Sequence, residues 1–443
     1  MCGFFSRLVL AAFLMSGVLL PISASAETLQ DALRAAVKKH PSMDVAKAGY
    51  MAARQEEREA FSGYFPVFNV SGAVGRIYQD NATSRGLDVV RGAGYSGYGE
   101  GNISMRQHIF DGFKTERRLN AAEASTLREE LGIVEVKNDL IFRTSQSYLD
   151  ILRIAESINL LEEQRQKIIG YEEKITSLVE EGVSDEVEGQ QARDVRMIVD
   201  GLIADYKGQY RSARAQYLEL TGNPATGDFM VPESLAAEIS QDISGEIALA
   251  GSYHYSLLIA DADIESAKAE MKAAKAEYYP DMDGEVSYSK IDKRDLIGGE
   301  SKDVRALLRM NWRFSIGGKQ DANIKKLLYR YEEAKAKKEE IARQINQAIE
   351  VAFAQYETAR EKLALAQERI TLNKTLFETY KAQYEGARIS LLAMMRAESQ
   401  LFSARLEEIE NRYGVLLSEF YLLSSSGRLE DIVLNDQPEE TSH

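Results

Sequence analysis

The stretch from Phe113 to Glu181 holds no proline, and its apolar residues recur at alternating steps of three and four. One seam runs Ile151, Ile154, Ile158, Leu161, Ile168, Ile175 and Val179, with Arg165 and Glu172 in its two polar slots. A second runs Leu127, Leu131, Val134, Ile141, Tyr148 and Leu152. Sustained 3-4 spacing specifies a coiled-coil helix, and two seams require neighbours on two sides. About 68 residues at a rise of 1.5 Å make a rod of roughly 100 Å. No compact domain has a core that long, so the chain must act across a distance.

The prolines show that this rod occurs twice. After Pro66 none appears until Pro224, and after Pro280 none until Pro438. Two proline-free spans of such length point to internal duplication. Tyr64-Phe65-Pro66 matches Tyr278-Tyr279-Pro280, and His40-Pro41 matches His254-Tyr255. Phe110-Asp111-Gly112 matches Phe314 to Gly317, and Gln191-Ala192-Arg193 matches Arg396-Ala397-Glu398. The expected layout is a first repeat over 27–221, a mid-rod connector at 222–245, a second repeat over 246–424, and a C-terminal equatorial segment with a disordered tail at 425–443. Each repeat reads as a helix of about 35 residues (Thr28–Gly63; Glu246–Tyr279), a strand pair (66–79 with 99–111; 282–291 with 303–316), a long helix (113–181; 319–385) and a second helix of about 35 residues (187–221; 391–424). Two shorter helices stacked end to end flank the long one along its full length.

Residues 1–26 read as a secretory signal peptide, with Arg7 before the apolar run Leu8–Leu20 and the cleavage site Ala24-Ser25-Ala26. The run of about 13 residues is short for a spanning helix, which needs about 20. The single cysteine, Cys2, lies inside this segment, so the mature chain is expected to have no disulfide and no thiolate metal site. Cys2 precedes the apolar run, which is the wrong place for a lipid-anchored cysteine. A net charge of −15 argues against nucleic acid as a partner.

The strands alternate sharply. Val304, Ala306, Leu308, Met310, Trp312 and Phe314 fall on one face, and Arg305, Leu307, Arg309, Asn311 and Arg313 on the other. Ile103, Met105 and Ile109 oppose Ser104, Arg106 and His108. Apolar against charged is the pattern of a membrane β-barrel, with lipid outside and water inside, and Trp312, Tyr78, Tyr95 and Tyr98 are candidates for its aromatic girdles. The alternative is a solvent-exposed sheet packed on one face. Four strands cannot close a barrel alone, so a pore requires several chains.

With these features the chain resembles the TolC-like family of outer-membrane efflux and type I secretion channels. The resemblance spans nearly all of the mature chain and rests on the order and spacing of its parts: the strand-to-helix motifs Phe110-Asp111-Gly112 and Ser315-Ile316-Gly317-Gly318, and the turns Glu181-Gly182-Val183-Ser184-Asp185 and Tyr384-Glu385-Gly386-Ala387-Arg388. It implies a mainly α fold with a β membrane part: long antiparallel coiled-coil helices forming an α-barrel, plus a 12-stranded β-barrel shared by a homotrimer. It also implies a location in the bacterial outer membrane and periplasm. The implied partners are a periplasmic adaptor (membrane fusion) protein and an inner-membrane pump, ABC-type or proton-driven. The missing lipobox favours type I secretion ducts over the lipid-anchored drug and metal efflux branch.

The resemblance also places the sites. The adaptor-docking tip turns are Gly182, Val183 and Ser184, with Gly386 and Ala387. Family members carry an acidic pair in the helix after the second turn; a gap-free match puts Ala393 and Arg396 there, so an acidic, cation-selective aperture is in doubt. The family's tip lock maps to Glu188, Tyr384 and Ile389, with Arg388 beside the position of the missing arginine. The expectation is that Arg388 and Arg396 pair with Glu180, Glu181, Asp185, Glu186 or Glu188. Arg305, Arg309 and Arg313 should line the pore. No catalytic constellation, cofactor motif or metal cluster is visible, and His40 and His254 read as helix starts. The competing readings are a soluble periplasmic coiled-coil adaptor or scaffold, and an envelope enzyme on a helical stalk.

Overall fold

The computed structural model describes residues 27–79, 94–183, 185–293, 300–386 and 388–434. The expected signal peptide and the tail beyond Leu434 lie outside the described residues. In chain order the elements are α1 (Leu29–Lys39), α2 (Pro41–Ser62), β1 (Val67–Gln79), β2 (Gly94–Phe110), α3 (Lys114–Glu180), α4 (Glu186–Thr221), α5 (Ile243–Tyr253), α6 (Tyr255–Lys275), β3 (Asp281–Lys293), β4 (Glu300–Asn311), α7 (Lys319–Glu385), α8 (Leu391–Ser425) and α9 (Leu429–Leu434). The plan helices, strand pair, long helix, helix occurs twice.

Helix α3 is the spine. It packs against α1, α2 and α6 in its upper half and against α4 and α8 in its lower half. Ile154, Leu161, Ile168 and Ile175 stand seven residues apart and are all buried, as the heptad requires. The polar slots in that seam are used as well. Arg165 Nε lies 2.5 Å from Asp200 Oδ1, and Glu172 accepts from Arg193 Nε at 3.2 Å and Arg196 Nε at 2.8 Å, all three partners lying on α4. Helix α7 has the same length but lies at the margin, against α5, α6 and α8, and far fewer of its residues are buried.

The single 35-residue helices expected at the start of each repeat are each broken in two. His40 and His254 adopt extended backbone and are N-caps, each Nδ1 accepting from the N–H two residues on at 3.2 Å. Pro41 at the first position of α2 needs no N–H partner, which favours a start there. In the second repeat nothing but the histidine cap marks the break.

Thr28 and Asp31 form a reciprocal capping box at the start of α1. Tyr148 of α3 pins this region: its hydroxyl donates toward the carbonyls of Glu27 and Met230, at 2.7 and 2.8 Å. The connector is held from the other side. The buried Glu419 accepts from Ser234 Oγ and Leu235 N, both at 2.8 Å, and the buried Glu246 receives Ser240 N at 2.7 Å and Arg428 at 3.2 Å. The short α9 was not foreseen; it packs on α3 and α8 with Leu429 and Val433 buried.

The strands form one antiparallel sheet in the order β1-β2-β3-β4. Each strand continues one upper helix: α2 enters β1, β2 leads to α3, α6 enters β3, and β4 leads to α7. Strand β2 starts earlier than expected, and β4 ends at Asn311 rather than 316. Beyond it Gln320 Nε2 donates to the Arg313 carbonyl at 3.0 Å and its Oε1 accepts from Ser315 N at 3.3 Å, so the chain turns toward α7 instead of extending the ladder.

Candidate functional site

The sheet register sorts the side chains onto two faces. Phe68, Met105, Val286 and Ala306 stand in one cross-strand row, and Val70, Ile103, Tyr288 and Val304 in the next. Many are widely exposed, Val70 at 76% and Val304 at 77%. The opposite face carries the rows Asn69, Ser104, Ser287, Arg305 and Ser71, Asn102, Ser289, Asp303. An exposed apolar face against a polar one is lipid against water. From Val304 to Met310 the apolar residues run about 20 Å along the strand, and Trp312 and Phe314 extend the band toward the helices. Tyr78 stacks on Tyr95 at 5.2 Å on the apolar face at the far end. Tyr98, offered above as a girdle residue, falls on the polar face with Glu100.

Alternation alone would put Phe110 on the charged face with Arg106 and His108. The structure avoids this with a β-bulge: the ladder steps from His108 to Phe110 on β2 while β3 steps only from Asp283 to Met282. Ile109 is the extra residue, which resets the pleat and sends Phe110 to the apolar side. There Phe110 meets Phe113 and Tyr279 edge-on, at 5.7 and 6.3 Å. Arg305 and Arg309 lie on the polar face as expected. Arg313 lies past the end of β4, in the segment leading to α7.

The strand-to-helix motif has a mechanical explanation. Asp111 caps α3, its carboxylate accepting from Lys114 N at 2.9 Å and Thr115 N at 2.8 Å. Gly112 and Phe113 both have positive φ, 69° and 66°, a sharp turn that only glycine makes without strain. A Cβ on Gly112 would lie 2.9 Å from the carbonyl oxygen of Ala276, so the glycine also lets the two repeats touch.

At the opposite end of the rod, α3, α4 and α8 share a buried core: Ile168, Ile175, Ala192, Leu391, Met394 and Met395, with Tyr384 and Ile389 packed on its edge. The first turn closes with Val183 N bonded to Leu178 O at 2.8 Å and Gly182 N to Val179 O at 3.0 Å, Gly182 being left-handed at φ 72°; this is a Schellman cap. The second turn repeats the long bond as Arg388 N to Gln383 O at 2.9 Å. That match pairs Gly182 with position 387 and Glu181 with Gly386, so the exchanged Gly and Ala reflect a shift of the glycine by one residue. Ser184 and Ala387 lie outside the described residues.

Tyr384 is half-buried and takes Lys174 Nζ over its ring at 4.9 Å, a cation–π contact that sequence reasoning missed. Ala393 lies in the first turn of α8, its N–H capped by Ser390 Oγ at 3.3 Å. Glu188 lies in the first turn of α4, after Asp185 caps Val187 N at 3.2 Å. Arg388 and Arg396 are exposed, and among the described residues neither forms an ion pair. Within one chain the structure therefore does not bring these arginines onto the carboxylates named for them.

Above the tip, polar networks tie the repeats together. Arg153 of α3 donates to both oxygens of Glu410 of α8 at 2.8 Å, and Tyr206 of α4 joins at 3.0 Å. Burial, and then the Glu410 charge, push the Tyr206 hydroxyl up to about 12. Arg412 and Tyr413 bind Glu156 at 2.6 and 3.0 Å. Lys167 of α3 reaches the buried Glu398 of α8 at 3.3 Å. Nothing in the sequence marked these pairs, since Arg153 and Lys167 simply stand beside the seam residues Ile154 and Ile168 with no partner in view.

Two stacked layers of helices feeding a sheet with a lipid face and a water face define the subunit of a membrane-crossing duct. Known proteins identify which one. The family model of outer membrane efflux proteins matches residues 32–223 and 248–428, and the chain belongs to that family. The chain is 22% identical over 427 residues to the outer membrane efflux protein BepC of Brucella suis, covering 96% of this chain and 90% of that protein. It is 20% identical over 422 residues to the outer membrane protein TolC of Escherichia coli, covering 92% and 84%. Among solved structures the CmeC outer membrane channel of Campylobacter jejuni superposes with a TM-score of 0.80 at 16% identity, over 90% of this chain and 86% of that one. The protein is an exit duct of the outer membrane that extends into the periplasm. That placement removes the soluble adaptor and scaffold reading.

Proposed function

We propose that three copies of the chain close into one passive duct, fed at its periplasmic tip by an adaptor and an energised inner-membrane pump. The observation that carries this is the pair of open edges. Among the described residues, strands β1 and β4 have no outer partner within the chain, and four strands cannot close. In the helical layer α4 and α2 bound one side of α3, while α7 bounds the other side of α6 and α8. Both outer sides carry exposed apolar residues: Val187, Met197 and Ile198 on α4, and Leu365, Leu372, Leu376 and Tyr380 on α7. Edges that differ from each other join head to tail, and a head-to-tail joint with a closing rotation makes a ring. Three sheets give twelve strands and an open lumen lined by Arg305 and Arg309.

In this reading the duct binds no cofactor and turns nothing over. Its two repeats, near 27–221 and 246–424, meet around the connector at 222–245. Energy enters through a pump of the ABC or proton-driven class, and cargo leaves by type I secretion or drug efflux. The turns at Gly182, Val183, Ser184, Gly386 and Ala387 present the adaptor-docking surface. Glu188, Tyr384, Arg388, Ala393 and Arg396 surround the aperture. The exposed Arg388 and Arg396 pair with Glu180, Glu181, Asp185, Glu186 or Glu188 across the closed tip, where threefold repetition concentrates their field.

The test is to extract the protein from outer membranes in detergent, measure its mass, and insert it in a planar bilayer. A particle of three chains giving discrete conductance steps is expected. A monomer without conductance would overturn the duct. Replacing Arg388 and Arg396 together by Ser is expected to raise conductance and antibiotic sensitivity; unchanged values would sink the lock.

A further inference from the structure

The polar face of the sheet is not uniform. At its helix-proximal end it carries a compact group of ionisable side chains from three adjacent strands. Strand β3 supplies Asp281, Asp283 and Glu285, alternate residues and therefore on one face. In the register Asp283 stands between His108 of β2 and Arg309 of β4, and Glu285 between Arg106 of β2 and Leu307 of β4. His108 Nδ1 lies 2.5 Å from Asp283 Oδ1, and Arg309 Nε donates diagonally to Glu285 Oε2 at 2.6 Å. The Glu285 side chain is only 15% exposed. Arg106 is exposed and, among the described residues, forms no ion pair.

The bulge at Ile109 fixes this group in place. Gly284 leaves room for the Ile109 side chain, whose Cδ1 lies 3.2 Å from where a Cβ on Gly284 would stand. The ladder therefore holds His108 opposite Asp283 while the next residue of β2 turns away. Bulges at barrel rims commonly re-aim a side chain in this way.

We propose that Arg106, His108, Asp281, Asp283, Glu285 and Arg309 form a charge-regulated selectivity ring at the base of the barrel, whose preference for cations falls when the His108 imidazole is protonated. The inference rests on the trimeric pore. With His108 neutral the three carboxylates outweigh the two arginines by one charge per protomer. A proton on His108 cancels that charge, a change of three charges at one height of the lumen. The groups facing His108 are Asp283 beside it, Arg309 beyond Asp283, and Asp281, Arg106 and Glu285 one row away; the pairing of β1 begins at Val67, opposite Arg106. Higher on the same wall Arg305 and Asp303 balance each other at 3.5 Å, and Glu100 adds a negative charge. One proton per chain thus switches the ring between a negative and a neutral state. A cargo with phosphate or carboxylate groups would meet a neutral base in acid medium and a repulsive one in alkaline medium.

The test is the reversal potential of the reconstituted trimer under a potassium chloride gradient, across the range of about pH 8 to about pH 5 in which histidines titrate. Acidification is expected to raise the chloride-to-potassium permeability ratio about two- to sevenfold, the upper figure following from a change of about one kT in lumen potential. His108→Asn is expected to remove most of that rise. Asp283→Asn, with His108 intact, is expected to favour cations less than wild type already at the alkaline end. A wild-type ratio that does not move with pH, or an equal rise in His108→Asn, overturns the ring. Wild-type trimers that conduct no ions overturn the pore reading instead.

Discussion

Gly112 and Gly318 each stand just before a long helix and are each left-handed, with φ of 69° and 72°, Gly318 as the N-cap itself and Gly112 one residue ahead of the N-cap Phe113. Replacing either by Ala forces a residue with a Cβ into that region, at a cost of about 1–2 kcal/mol. Their surroundings differ. Nothing lies within 4 Å of a Cβ at Gly318, whereas at Gly112 it would meet Ala276 O at 2.9 Å and Tyr279 Cβ at 3.0 Å. Both atoms belong to the junction between α6 and β3, and neither can rotate away. The added overlap costs about another 1–3 kcal/mol. Gly318→Ala should therefore fold and assemble nearly normally, while Gly112→Ala should lose about 2 kcal/mol more, a factor of about 30 in equilibrium terms. The readout is the fraction of protein recovered from outer membranes as a heat-resistant oligomer, followed over a temperature series. Equal loss in the two variants, or a greater loss in Gly318→Ala, would show that contact between the repeats at Ala276 is not what this glycine protects.

Three further outcomes are expected. Val286→Lys places a charge in the middle of the lipid face and should cost about 2–4 kcal/mol, while Ser287→Lys, one residue on and facing the lumen, should assemble; the ratio of assembled protein decides. Burial lowers the pKa of His254 against an opposing hydrogen bond to the Ser425 backbone carbonyl. A folded pKa below the unfolded one means the unfolded chain binds more protons, so stability is full above about 6.5 and falls below it by up to about 1.4 kcal/mol per unit. Thermal melts of His254→Asn in that acid range should lack this component, and an unchanged slope would refute it. Burial raises the pKa of Glu419, so its charged form destabilises progressively as pH climbs from the unfolded value to the folded one. Glu419→Gln keeps an acceptor for Leu235 N and should melt no lower than wild type at neutral pH, whereas Glu419→Ala should lose about 1–3 kcal/mol.

The elements with a long period were legible in the sequence. The heptad of α3 named Ile154, Leu161, Ile168 and Ile175 without any partner in view, because every turn repeats the same burial. Strand alternation likewise separated Val304 from Arg305. The departures were local and lacked a repeating signal. His254 ends one helix and begins another through a single side-chain hydrogen bond, and the bulge at Ile109 shifts one residue in a ladder whose pattern otherwise continues. The early end of β4 depends on Gln320, reaching back seven residues to the Arg313 carbonyl. At the site, residue types pointed to Arg305 and Arg309, but the partner of Arg309, Glu285 on the neighbouring strand, required the register. For Arg388 and Arg396 no register within one chain applies; in the proposed trimer the groups they would meet belong to other copies.

The unequal burial of α3 and α7 changes how the assembled wall must be viewed. In the proposed trimer, two similar repeats in each of three chains make six nearly equivalent panels, so the ring has six vertical joints. Three are internal, sealed where α3 meets α6 and α8 and riveted by Arg153, Glu410, Glu156 and Arg412. The other three form only on assembly, along the sparsely packed side of α7. A wall built this way is not evenly compliant. Dilation of its lower end would concentrate in every second joint, and the chain would move as three stiff double panels rather than six separate ones.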